Sequence, residues 1–298
     1  MAIPLSTLKI VAICCLVTCL GLVAWRSLHG GRTAVLRIAF LDVGQGDAAV
    51  IETPGGRVIV LDAGGGFSDS GSDRGHTVLE PYLRSHGVRH IDAIVLTHPH
   101  LDHIGGADTL INDFPTGLLI DNGEPTVPPQ QEHILQDAER RHVTHRIAVR
   151  GQQMDLGDGI KAEVLGPTPE EVRADKANNA SVVLKITYGK TRFLFMGDAE
   201  KAEENDLLGA HIPIACDVLK VGHHGSSTSS TPAFVDAAHP RDAVISVGAD
   251  NRYGHPSEDV VARLQSKGTR ILRTDKAGAV ICESDGEVLK FSTMRHMP

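Results

Sequence analysis

Residues 97–103 read Thr-His-Pro-His-Leu-Asp-His, so His98, His100, Asp102 and His103 place four metal-ligating groups within six positions. Imidazole nitrogens beside a hard carboxylate suit a divalent transition metal such as zinc, manganese or iron. The cluster follows the β-like run Ile94-Val95-Leu96 and precedes Ile104-Gly105-Gly106, which releases the chain into a helix. A strand end that runs into a tight loop turns alternate residues toward a common point. The chain also holds 16 histidines in 298 residues, several of them in short clusters. Metal-assisted hydrolysis is the first chemistry to expect, because it needs no serine or cysteine nucleophile.

This arrangement resembles the metallo-β-lactamase superfamily, an α/β (α+β) fold. It is an αββα four-layer sandwich of two mixed sheets flanked by helices, with ligands on loops along one edge. The resemblance makes Asp62, in Val60-Leu61-Asp62-Ala63-Gly64, an orienting residue, and Asp198, in Phe195-Met196-Gly197-Asp198-Ala199-Glu200, a bridge between two metals. Two carboxylate oxygens can each face one cation, although Asp198 taken alone also suits a helix N-cap. The last histidine of the pattern has two candidates, His223 and His224. Adjacent side chains on an extended segment point opposite ways. The resemblance assigns His224 to metal and leaves His223 to face substrate as an acid or a phosphate-oxygen donor. The implied metal set is therefore His98, His100, Asp102, His103, Asp198 and His224, holding two divalent ions, zinc or manganese. Asp102, His223 and His255 are the catalytic candidates; His255 precedes a helix start at Pro256, where a capping or supporting role competes.

Many members of the superfamily supply one more histidine before the bridging aspartate. Here residues 176–182 read Lys-Ala-Asn-Asn-Ala-Ser-Val, which leaves Asn179, Ser181 or water to complete the His98/His100/Asp198 half. Taken with Asp42-Val43-Gly44-Gln45-Gly46-Asp47, His223-His224-Gly225-Ser226 and Asn251-Arg252-Tyr253-Gly254-His255-Pro256, this departure resembles the C-terminal hydrolase domain of the ComEC/Rec2 DNA-uptake proteins. The resemblance covers nearly all of residues 33–298, without the multi-span channel region of those proteins. Asp47 and Gln45 either line the site floor or satisfy backbone groups in a tight turn. Ser226 and Ser227 either donate to an anion or belong to a plain loop. The implied activity is a phosphodiesterase or nuclease acting on DNA, single-stranded DNA first, or on a small phosphodiester. A carbonyl-ester, lactone or β-lactam hydrolase is the second enzymatic alternative. A membrane-tethered uptake accessory with a degenerate site is the non-enzymatic one.

The elements that must position these residues are legible from periodicity. Strands are expected at 36–41, 48–53, 57–61, 91–96, 118–120, 161–165, 182–188, 192–195, 218–221, 243–247, 270–272, 279–282 and 288–291. Helices are expected at 78–86, after Gly106, at 130–141, after Asp198 and at 256–267. Each half runs from strands into helices, which predicts two helix-covered mixed sheets face to face, with 33–298 as one hydrolase domain.

Residues 10–25 form sixteen consecutive uncharged, mostly apolar positions between Lys9 and Arg26. That length suits an export signal or an uncleaved anchor, so residues 1–32 are expected to attach the domain to a membrane or export it, with the extracytoplasmic side favoured. The remainder carries 26 basic against 37 acidic residues, a net of −11. Such a body does not bind nucleic acid by bulk charge, so an anionic substrate must be received by metals or a local basic group. Aromatics make up only 4% of the chain, so a surface that stacks bases has few rings to use. Cys216 and Cys282 are expected to be buried small hydrophobes.

Overall fold

Alternate residues of the first strand choose opposite layers. Ile38 and Phe40 join a core between two sheets, while Ala39 and Leu41 join a second core under helices. The structure, a computed structural model, describes residues 35–65, 73–174 and 176–295. The apolar run at 10–25 lies outside the described residues, among which no helix is long and apolar enough to cross a membrane.

The strands are β1 (Leu36–Phe40), β2 (Ala48–Glu52), β3 (Val58–Ala63), β4 (Ile91–Val95), β5 (Thr116–Asp121), β6 (Thr144–Ile147), β7 (Gln153–Gly157), β8 (Ile160–Gly166), β9 (Val183–Tyr188), β10 (Thr191–Phe195), β11 (Val218–Lys220), β12 (Asp242–Ile245), β13 (Arg270–Arg273), β14 (Val280–Ser284) and β15 (Leu289–Thr293). One sheet has the order β15-β14-β1-β2-β3-β4-β5-β6 and the other β13-β12-β11-β10-β9-β8-β7. The helices are α1 (Glu80–Ser85), α2 (Leu101–Ile104), α3 (Ala107–Asp113), α4 (Pro129–Arg140), α5 (Pro169–Arg173), α6 (Lys201–Gly209), α7 (Pro232–Ala238), α8 (Glu258–Ser266) and α9 (Thr274–Ala277).

Between the sheets, Ile38, Phe40, Ile51 and Ile59 face Val164, Leu184, Phe193 and Phe195, and the Phe40 and Phe195 rings stack 5.8 Å apart. Leu83 of α1, Leu110 of α3 and Ile134 of α4 cover the outer face of the first sheet. Leu207 of α6, Phe234 of α7 and Leu264 of α8 cover the second. The result is the four-layer αββα arrangement, with two mixed sheets flanked by helices. β3, β4 and β5 run parallel in one sheet, and β10 to β13 in the other. Strands buried on both faces read as unbroken apolar runs, as in Val58-Ile59-Val60-Leu61. The carboxyl ends of parallel strands open onto loops, where α/β folds bind ligands. Here β3, β4, β10 and β11 deliver Asp62, His98, Asp198 and His223-His224.

Every expected strand forms within two residues of its expected ends. The helix expected at 78–86 begins earlier, as a π-type turn over Gly75–Leu79 that continues into α1. β6 and β7 were not anticipated. Each lies at one edge of its sheet, and β6 is exposed at every residue, so burial imposes no alternation on its sequence. The short α5, α7 and α9 were likewise not anticipated. Cys216 and Cys282 are both buried free thiols.

Candidate metal centre

The histidine motif is not one loop but a strand end that turns into a helix. Thr97 and His98 follow β4; His100 is the N-cap of α2, and Asp102 and His103 lie inside α2. The helix brings His103 back beneath His98, with ring centroids 4.2 Å apart. The loop at 42–47 fixes its position, because the Asp47 N–H donates to the Asp102 carbonyl at 3.0 Å. That approach requires Gly46, where φ is +134° and an added Cβ would lie 2.2 Å from the Asp102 carbonyl oxygen.

Two groups of ligating atoms converge there, each within 4.8 Å of one another: Asp102, His103, Asp198 and His224, and His98, His100 and Asp198. The two oxygens of Asp198 divide between them. Oδ1 lies 3.2 Å from His103 Nε2 and 3.5 Å from His224 Nε2, while Oδ2 lies 3.8 Å from His98 Nε2. His103 Nε2 and Asp198 Oδ1 are buried and have no hydrogen-bond partner. Buried polar atoms are otherwise almost always satisfied. Orphaned atoms converging with further imidazole and carboxylate donors fit a divalent cation that needs all of them.

The outer nitrogens are braced. His103 Nδ1 meets Asp62 Oδ2 at 2.8 Å, and Asp62 also accepts from the Thr97 N–H at 2.7 Å and the Thr97 hydroxyl at 2.8 Å. Asp62 therefore sits behind His103, in the position of an orienting group. His224 Nδ1 lies 3.0 Å from the Ser246 carbonyl and 3.3 Å from Asp47 Oδ1. The Lys220 ammonium in turn pairs with Asp47 Oδ2 at 2.7 Å, nearly excluded from solvent. Asp47 thus lies under the floor, and Gln45 accepts from the Gly248 N–H at 3.2 Å.

The charges respond to each other strongly. Burial opposes ionisation of His103, but Asp198 and Asp62 outweigh it and hold its pKa well above the ordinary imidazole range. Burial likewise opposes charge on His224, and Asp198 and Asp47 still raise it to about 10. Burial pushes the His98 pKa well below that range, with a like charge on His103 adding to it. Asp198 is held well below the carboxylate range by His103 and His224 in spite of its burial. The buried carboxylates thus favour positive charge beside them, which is what a cation site requires.

Two expectations are corrected by the geometry. His223 and His224 are not on an extended segment: both are left-handed, with φ of 47° and 53°, in a 3-10 turn after β11. The rings still diverge, because the turn sends His224 inward and leaves His223 partly exposed at the rim, 3.8 Å from Asp198 Oδ2. Asn179 and Ser181 do not take the place of the missing histidine. Asn179 Oδ1 accepts the N–H groups of Glu200 and Glu203, and the Ser181 hydroxyl accepts the Asp198 N–H and lies 3.4 Å from His98 Nδ1, the side away from Asp198. His255 does not reach the carboxylates; its ring packs 5.6 Å from that of His223. Ser226 bonds to Thr228 within its own turn.

Glu200 was not singled out from the sequence, yet its Oε1 lies 3.1 Å from His223 Nδ1 and accepts the Thr228 hydroxyl at 2.7 Å. Its place in Gly197-Asp198-Ala199-Glu200, two positions after the shared carboxylate, was the available signal.

Residues 41–249 match the metallo-β-lactamase superfamily, and the chain belongs to this superfamily of metal-dependent hydrolases. Within it, the chain is similar to a ComE operon protein, a competence protein and a recombination protein. It is 34% identical over 266 residues to ComE operon protein 3 of Bacillus subtilis, covering 86% of this chain and 34% of that protein. It is 32% identical over 240 residues to competence protein ComA of Neisseria gonorrhoeae, covering 80% and 31%. Recombination protein 2 of Haemophilus influenzae is 31% identical over 240 residues, covering 80% and 28%. The chain thus spans about a third of the length of these relatives. Among solved structures, CmlA, a diiron β-hydroxylase from Streptomyces venezuelae, aligns at a TM-score of 0.53 and 14% identity over 87% of this chain and 54% of its own, a likeness of fold.

Proposed function

We propose that this chain is a two-metal phosphodiesterase or nuclease, acting on DNA or a smaller phosphodiester, with zinc or manganese as its ions. The observation that carries this is the pair of orphaned buried atoms, His103 Nε2 and Asp198 Oδ1, at the meeting point of two ligand groups that share Asp198. Asp102, His103, Asp198 and His224 would hold one ion, and His98, His100 and Asp198 the other. Divalent ions held there supply Lewis acidity, bringing the pKa of water toward about 7 and offsetting charge on phosphoryl oxygens.

The chain's own residues do the rest. Asp62 and the Ser246 carbonyl fix the rings of His103 and His224 so that each Nε2 points inward. His223, at the rim and braced by Glu200 behind it, is placed to hold a proton at Nε2 for a phosphoryl or leaving-group oxygen. Competence-protein relatives support DNA as the substrate. The uncharged run at 10–25 supports a membrane tether or export signal, which membrane fractionation of the expressing cell would test.

The test is hydrolysis of bis-p-nitrophenyl phosphate and single-stranded DNA with added manganese or zinc, beside a lactone and a β-lactam. Phosphodiester turnover that disappears on chelation and in Asp102→Ala is expected. Turnover that survives both would sink the metal mechanism, and preference for the carbonyl substrates would sink the phosphodiester assignment.

A further inference from the structure

The chain has seven Phe, three Tyr and one Trp, and among the described residues Tyr253 alone has an exposed ring, at 71%. Leaving a ring in water forgoes the burial that the other described aromatics obtain. The turn that carries this one is nevertheless held in place. The Asn251 side-chain oxygen accepts the N–H groups of Tyr253 at 3.2 Å and His255 at 3.0 Å. Its amide group donates to the carbonyls of Gly248 and His255, both at 2.8 Å. Gly248 is anchored in turn to Gln45, in the loop that carries Asp47.

From the Tyr253 ring a path leads to the candidate metal centre. Tyr253 stacks on His255 with centroids 5.8 Å apart and planes 18° from parallel. His255 meets His223 at 5.6 Å, and His223 Nε2 lies 3.8 Å from Asp198 Oδ2. A line of three rings therefore runs from solvent to the shared carboxylate. Beside Tyr253, Arg252 is exposed and has no ion pair among the described residues. A stacking face with a cation on the adjacent residue, one step from the candidate metal centre, suits a flat base joined to a phosphate. An acidic body that cannot attract nucleic acid by bulk charge needs such a local device.

We propose that Tyr253 is a base-stacking platform that selects single-stranded nucleic acid for this centre, an unpaired base resting on its ring while the adjacent phosphodiester reaches Asp198. The proposal rests on the phosphodiesterase function above. Stacking accepts any base, since each has a π-face, but a base within a duplex is already stacked.

Two chromogenic esters with the same leaving group test it in the full-length chain with manganese: thymidine 5′-(p-nitrophenyl phosphate) and methyl p-nitrophenyl phosphate. The expected result is that kcat/KM favours the nucleoside ester, and that Tyr253→Ala lowers this preference by about 5- to 100-fold, through KM. Tyr253→Phe should preserve it. An unchanged preference in Tyr253→Ala, or an equal fall on both esters, would mean that the ring only supports His255 and would overturn the proposal. If the wild-type chain cleaves neither ester, phosphodiester hydrolysis fails separately. Equilibrium binding of a fluorescent oligothymidylate then decides the platform. Weaker binding by a similar factor in Tyr253→Ala, with Tyr253→Phe and wild type alike, supports it, and equal binding by all three overturns it.

Discussion

In one half of the centre His103 and His224 are fully buried, and the outer nitrogen of each is engaged, by Asp62 in one case and the Ser246 carbonyl in the other. In the half across Asp198, His100 is exposed and His98 has only hydroxyls behind it, Thr97 at 3.2 Å and Ser181 at 3.4 Å. A carboxylate behind a ligating imidazole fixes its ring orientation and raises its basicity, which a hydroxyl does far less. Four donors meet in the first half and three in the second. On the two-metal reading the two halves are thus built for unequal affinity, the weaker one lying beside the 176–182 segment that has no histidine.

The largest effect belongs to the residue common to both halves. Asp198→Ala should remove both ions from metal analysis and lower turnover by about a thousandfold or more, since Lewis-acid stabilisation is worth several kcal/mol. Retention of one full equivalent of metal would show that the halves do not depend on a shared carboxylate. Next comes the contrast in bracing. Asp62→Asn should weaken the tighter ion by about 10- to 100-fold, and Ser181→Ala the looser ion by less than about tenfold, in competition with a chromogenic chelator. A reversed order would break the comparison outright.

Most of the ligand set was legible in the sequence. Four candidate ligands within six positions after a strand leave few places for a metal to be, and His98, His100, Asp102 and His103 fall within 4.8 Å groups with Asp198. Bracing was harder to read, because Ser246 acts through a backbone carbonyl that any residue would supply, and Lys220 finds Asp47 only across the fold. The interior strands were readable because both faces are buried, as in β3, whereas β6 has no buried residue to mark a face. α5 did carry a signal, since Thr168 and Glu171 form a reciprocal capping box, but a five-residue helix offers no period to go with it. His223 and His224 misled because two consecutive left-handed non-glycine residues are costly, and sequence does not announce strain.

A subtler perturbation targets the approach of two backbones in the tighter half. Gly46→Ala would put a Cβ where the Asp102 carbonyl oxygen lies, at a φ that L residues avoid. The expected cost is about 1–3 kcal/mol, seen as a lowered Tm, with α2 and Asp102 displaced. Loss should fall on the ion held by Asp102, His103 and His224, while the other half keeps its affinity. Equal loss from both halves would mean that α2 positions the whole motif rather than one side of it.

The smallest effect lies behind the looser half. Glu203 of α6 donates its N–H to Asn179 in the segment without the histidine, and its carboxyl is fully buried. Arg150 lies 3.5 Å away, but burial, followed by the neighbouring Glu171 carboxyl, raises the Glu203 pKa from 4.5 to about 10. The fold therefore prefers the protonated acid. Its contribution to stability is complete below about pH 4.5 and is lost as pH rises toward about 10, because the unfolded chain releases the proton first. Glu203→Gln keeps a neutral group of similar shape, so its Tm should gain on the wild type as pH increases, by a few degrees between about pH 5 and 9. Thermal melts of the metal-free proteins across that range would measure it. A gain independent of pH would mean that Arg150 already satisfies an ionised Glu203. The looser half would then rest on a salt bridge as firm as the Lys220–Asp47 pair beneath the tighter one, and its lower affinity would have to come from its missing ligand alone.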